Sequence, residues 1–174
     1  MPSYERQTSV HAPLEAVWAF HSRVSGLEAV TPDWMGLCVE SAIGPDGDPG
    51  PDVLEAGSEV TLSVRPFGVG PRQYWTSLIT DRDRRDGTAY FRDEMVRGPF
   101  DRWVHTHAFY ADGDRTIVRD HVEYDLSIEA IDRAVAPLTT VGFDAMFRYR
   151  HRATKARLES GPARHRTLED PSLE

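Results

Sequence analysis

The sequence predicts an α+β fold in which a run of antiparallel strands is covered by one long C-terminal helix. Short stretches of alternating hydrophobicity follow one another from about residue 60 to 127, separated by turns rich in Gly, Pro and Asp. After Ile128 the apolar period changes to a helical one, with Leu138, Val141, Ala145, Met146, Tyr149 and Ala153 recurring on one stripe. Strands first and a helix last place that helix on one face of the sheet.

Each element has its own local reason. Ser3 to Val10 alternates weakly, contains no turn residue and reads as a strand. Pro13 suits the opening turn of a helix whose Leu14, Val17, Trp18 and His21 share a face. A second short helix over Ser25 to Val30 is stopped by Pro32, and Met35 to Ile43 reads as extended. The stretch "GPDGDPGPD", Gly44 to Asp52, is a loop. Strands are then expected at Val60 to Val64, Gln73 to Asp81, Thr88 to Val96, Arg102 to Ala111 and Thr116 to Ser127, with "DRDRRD" (81 to 86) as a solvated, charged turn. A helix over 132 to 158 would be roughly 40 Å long, matching a strand of eleven residues at roughly 36 Å. Gly142 and Ala145 are small beside Phe143, Met146 and Phe147, which predicts space between helix and sheet. The polar, proline-containing tail from residue 160 to 174 is expected to be mobile, leaving one domain over 1 to 159.

Composition narrows the function classes. The formal net charge is −8, and the arginines are scattered among aspartates, which argues against a nucleic-acid partner. No apolar run suits stable membrane insertion and no secretory signal is visible, so a cytoplasmic protein, monomer or homodimer, is expected. Of the 20 basic residues only Lys155 is lysine, a bias that fits a salt-rich cytosol where charge repulsion is screened. Cys38 has no disulfide partner in the chain and is expected to be a small buried residue. "FGVG" (67 to 70) lacks a following helix and is not a phosphate loop. Trp18, Trp34 and Trp75 are expected in the core or at a cavity rim. Arg148, Arg150 and His151 are expected on a wet flank of the last helix.

The chemistry concentrates in "GPFDRWVHTHAF", residues 98 to 109. In a strand, Trp103, His105, His107 and Phe109 lie on one side. A three-residue loop Gly98-Pro99-Phe100 sets Asp93 opposite His105 and Phe91 opposite His107. A glycine-first two-residue turn at Gly113-Asp114 sets His107 opposite Asp120, His105 opposite Val122 and Trp103 opposite Tyr124. The two registers together define an inner face of Phe91, Asp93, Met95, Trp103, His105, His107, Phe109, Val118, Asp120, Val122 and Tyr124.

The order of these elements, with "HAPLEAVWAF", "DEMVRGPFDRWVHTHAF", "TIVRDHVEYDL" and "MFRYRH", resembles the SRPBCC superfamily over about residues 3 to 159. That superfamily includes START lipid-transfer domains, polyketide cyclase/dehydrase-like proteins and the birch-pollen-allergen type. The resemblance implies a helix-grip fold: a curved antiparallel sheet wrapped around a long C-terminal helix, two short helices near the N-terminus, and a deep hydrophobic cavity between sheet and helix.

Four readings of the inner face follow. His105, His107, Asp93 and Asp120 form a structural network that fixes register. Alternatively they orient a hydrophobic small-molecule ligand in a pocket lined by Phe91, Met95, Trp103, Phe109, Val122, Tyr124, Gly142 and Met146. As a third reading, they are the acid-base pair of a cyclase or dehydratase, with Tyr124 or Arg92 stabilising an enolate oxygen. The fourth is a zinc or iron site, to which hydrogen bonding between Asp and His is preferred, so no metal and no cofactor is expected. A protein-interaction module with an uncovered sheet edge is the alternative to any ligand site.

Overall fold

A computed structural model of the chain describes residues 2–125 and 136–160, and side chains within 136–141 are left aside. Seven strands form one antiparallel sheet: β1 Ser3–Val10, β2 Cys38–Ile43, β3 Glu59–Val64, β4 Gln73–Arg85, β5 Thr88–Arg97, β6 Arg102–Asp112 and β7 Arg115–Asp125. The helices are α1 Leu14–His21, α2 Val24–Val30 and α3 Ala136–Leu158. The sheet order β1-β7-β6-β5-β4-β3-β2 is a meander from β2 to β7, with the first strand returning to pair the last. No helix among the described residues is long and apolar enough to cross a membrane.

Local turn chemistry sets the register that positions the site. Between β6 and β7, Gly113 adopts a positive φ of 61° and Asp114 does not, as a glycine-first turn requires. Asp112 therefore faces Arg115, and counting back gives His107↔Asp120, His105↔Val122 and Trp103↔Tyr124. Between β5 and β6 the pairs are Asp93↔His105 and Phe91↔His107. Alternation then sorts the faces: Thr116, Val118, Asp120, Val122 and Tyr124 are all buried, while their neighbours along β7 are only partly so.

Two apolar clusters flank the site. Under α1, Val10, Val17, Trp18, Phe109 and Val118 pack together. Under α3, Val122, Tyr124, Phe143 and Phe147 do the same, with Tyr4 and Trp103 against them. Phe147 is fully buried, its ring stacked 5.3 Å from Tyr4. Arg6 on β1 adds an ion pair of 2.7 Å to Asp144 on α3. The hinge between the two short helices is equally tight, because a Cβ on Gly26 would run into the carbonyl oxygen of Phe20.

Several expectations are corrected here. "DRDRR" is not a turn: β4 continues to Arg85 and the reversal falls at Asp86-Gly87, where Gly87 has a φ of 72°. Arg82 within it points inward, its guanidinium 4.6 Å above Trp18 and donating to the Leu54 carbonyl at 2.6 Å. The charge pattern resembles a solvated loop, but cation–π stacking and a carbonyl partner compensate the partial burial. The extended stretch expected over Met35 to Ile43 begins only at Cys38, since Met35 closes a 3-10 turn from Asp33, and Cys38 is exposed on the edge strand. Trp34 is also exposed, stacked on Phe67. The end of the last strand at Ser127, the start of the last helix at 132 and the tail beyond residue 160 lie outside the described residues.

Truncating Phe109 to Ala is expected to cost about 3–5 kcal/mol, since it removes a fully buried ring from the contact between α1 and the sheet. Urea unfolding followed by tryptophan fluorescence measures this directly.

Candidate functional site

The concave face of the sheet carries a cavity of about 370 Å³, closed on the other side by α2 and α3. β3 and β4 contribute Val60, Leu62, Val64, Trp75 and Ile79, and β5 and β6 add Phe91, Met95 and Trp103. Their inward alternation is the ordinary consequence of a half-buried sheet. The helices supply Leu27, Phe143, Met146 and Arg150. The space exists because α3 sits over β1 and β7, through the Phe147–Tyr4 stack, while α1 packs on β5 and β6, so the β3–β4 end of the concave face stays open.

Asp93, His105 and His107 lie in the wall of this cavity. Behind them is Asp120, 4% exposed, which binds three imidazoles. Its Oδ1 accepts from His105 Nε2 at 3.0 Å, and its Oδ2 accepts from His151 Nε2 at 2.6 Å. His107 Nδ1 stands 2.8 Å from Oδ1 but is out of line for a hydrogen bond, so that nitrogen is otherwise unpartnered. The His105 and His107 rings are 3.7 Å apart between centroids. On their cavity side, Asp93 Oδ2 is 3.5 Å from His105 Nδ1 and 3.6 Å from His107 Nε2. Among the remaining groups, His21 reaches Thr154 on α3 at 3.3 Å.

The electrostatics follow from this crowding. Burial works against the ionised Asp120, yet the His107 charge and the imidazole hydrogen bonds outweigh it and hold the carboxyl well below its usual range. Asp93 is lowered as well: burial opposes ionisation, and His107 and His105 overcome it. Burial, then repulsion from His107, pushes His105 down to about 4. Burial also opposes charge on His107, but the two carboxylates outweigh it and raise its pKa above the usual imidazole value. Burial and the charge on His107 drive His21 down to about 3.

The sequence-predicted residues divide into two groups. Phe91, Asp93, Met95, Trp103, His105, His107 and Met146 do line the cavity. Phe109, Val122 and Tyr124 lie instead in the apolar clusters, and Asp120 stands behind the imidazoles. Gly142 and Ala145 face solvent, so the hollow does not come from small residues on α3. Arg92 is exposed and donates to Thr106 on β6, on the outer side, which removes it as an oxyanion partner. Arg150 and His151 are not a wet flank: Arg150 lines the cavity and His151 is 4% exposed. Charge on a helix reads as solvent exposure, and only the rotation of α3 about its axis shows otherwise. His21 was visible on the apolar face of α1, whereas Phe100, Phe143 and Arg150 had no signal in strand alternation.

A family model described as polyketide cyclase / dehydrase and lipid transport matches residues 10–146. The chain belongs to that family. Solved structures share the family's helix-grip architecture. A Thermus thermophilus protein aligns with a TM-score of 0.66 at 17% identity, over 93% of this chain and 100% of its own. Truncated norcoclaurine synthase of Thalictrum flavum aligns at 0.62 and 16%, over 91% and 94% respectively. A START superfamily protein of Mycobacterium smegmatis aligns at 0.58 and 12%, over 90% and 97%. At such identities the likeness concerns the fold. No curated protein is significantly similar in sequence.

Replacing Asp120 with Asn is expected to destabilise the protein by about 3–5 kcal/mol, because the imidazoles lose their buried counter-ion. Chemical denaturation measures the loss. His21 takes up its proton near pH 6.5 when unfolded and only near 3 when folded, so it lowers stability as pH falls through that window. Melting curves of wild type and His21→Phe between pH 7.5 and 5 should therefore converge towards each other if wild type starts the more stable, or diverge in favour of the variant if it does not.

Proposed function

We propose that the protein binds an apolar small molecule or lipid in the cavity between the sheet and α3, with the His/Asp cluster meeting a polar oxygen of that ligand. The observation that carries this reading is the cavity itself. The pocket opens to solvent, and its mainly apolar walls gain more from contact with an apolar ligand than from water. The volume lies in the range of small-molecule sites, and the polar groups Asp93, His105, His107 and Arg150 give one region of the wall a means of orienting the occupant. The family's description, which joins cyclases, dehydrases and lipid transport, supports the same reading.

A second reading is an acid-base enzyme of the cyclase or dehydratase type working in the same cavity. It is favoured by the close pair of imidazoles, their ring centroids 3.7 Å apart, which lie between a buried carboxylate and the open space. In that role His107 would exchange a proton with the substrate, Asp120 would hold the ring, and Arg150 would take the place of Tyr124 or Arg92 at a developing oxyanion.

Filling the hollow tests the binding reading. Met95→Trp is expected to weaken uptake of the fluorescent apolar probe N-phenyl-1-naphthylamine roughly tenfold or more, about 1.4 kcal/mol, with the fold retained by circular dichroism. Equal binding by variant and wild type would move the site elsewhere. Mass spectrometry of the organic extract from natively purified protein identifies a resident ligand.

A further inference from the structure

Asp93, His105 and His107 present three ligand atoms to one point at the cavity wall. From this geometry we propose that they bind a divalent transition-metal ion of the zinc or iron(II) class, with open coordination positions facing the hollow. Asp93 Oδ2 lies 3.5 Å from His105 Nδ1 and 3.6 Å from His107 Nε2, and all three atoms fall within 4.8 Å of one another. Those separations are long for hydrogen bonds. They are close to the edge of a coordination tetrahedron, where ligand atoms about 2.0–2.1 Å from zinc are roughly 3.3 Å from each other.

The two aspartates have different tasks, which the sequence could not separate. Asp120 accepts hydrogen bonds on the far side of the imidazoles, from His105 Nε2 and His151 Nε2. With its Nε2–H donated to Asp120, neutral His105 turns the lone pair of Nδ1 towards Asp93. His107 directs Nε2 towards Asp93, while its Nδ1 stands 2.8 Å from Asp120 without the alignment of a hydrogen bond. A carboxylate behind a ligating histidine is the usual means of fixing tautomer and ring orientation at a metal. Asp93 is thus the free anionic ligand, its side chain 13% exposed at the cavity wall, opposite His105 in the β5–β6 ladder. Two imidazoles and one carboxylate on adjacent rigid strands make a three-residue set that leaves room for water or for a carbonyl or hydroxyl oxygen of a bound molecule.

The test uses untagged full-length protein stripped with EDTA. Titration with Co²⁺ is expected to give one ion per chain, a visible ligand-field band that Zn²⁺ abolishes by displacement, and a rise in melting temperature. Asp93→Asn and His107→Gln should each weaken Co²⁺ binding at least tenfold, whereas substitution of His121 (His121→Gln), a half-buried histidine on the other face of β7, should leave it unchanged. Should either site variant fail to fold, histidine ¹⁵N chemical shifts of the wild type provide the same answer: Zn²⁺ is expected to move His105 Nδ1 and His107 Nε2. The proposal is overturned if the stripped wild type takes up no stoichiometric Co²⁺ or Zn²⁺, if both site variants bind as tightly as wild type, or if the ¹⁵N shifts fall on other histidines.

Discussion

The structure depends on one buried carboxylate. Asp120 faces three imidazoles, two from the neighbouring strand β6 and one from α3, with contacts of 2.6 to 3.0 Å. An ionised carboxylate with no partners at this depth would cost several kcal/mol, and with three it becomes a fixed point. It specifies register as well, since a slip of one residue along β7 would bring Arg119 or His121 to the inner face in its place. Through His151 the same group also sets how α3 is rotated against the sheet.

The cavity is the complement of that anchoring. α3 is tied down along one side, by Phe147 on Tyr4, by Asp144 with Arg6 and by His151 with Asp120. The opposite half of the concave sheet, β3 to β5, is left facing α2 and the far flank of α3 across an open space. The polar cluster occupies the boundary between the packed half and the hollow half. One side of each imidazole is therefore committed to structure while the other faces the cavity. The imidazoles thus hold the buried Asp120 on one side and line the cavity on the other.

Much of this was legible in the chain. Turn lengths at Gly98-Pro99-Phe100 and Gly113-Asp114, together with a side-chain period of two, placed Asp93 against His105 and His107 against Asp120. What failed was legible only in part. The "DRDRR" run has the composition of a loop, but Arg82 finds Trp18 and the Leu54 carbonyl, partners 64 and 28 positions earlier in the chain, where no local pattern connects them. Arg150 and His151 look like solvent-facing charges because a helical period shows which residues share a stripe, not which stripe meets the sheet. The division of Phe109, Val122 and Tyr124 from the cavity-lining residues was equally hidden, as alternation gives a face but not which part of that face a helix covers.

By itself, then, the sequence determined the α+β class, the antiparallel meander, the strand registers and the inward histidines, because each follows from period and turn chemistry within a few residues. Only the tertiary structure decided that His151 completes the Asp120 cluster, that Arg150 enters the cavity, and that Asp93 and Asp120 stand on opposite sides of the imidazole pair. Those facts depend on the placement of α3 as a body against a curved sheet, and a contact spanning 31 positions between Asp120 and His151 leaves no local pattern to read.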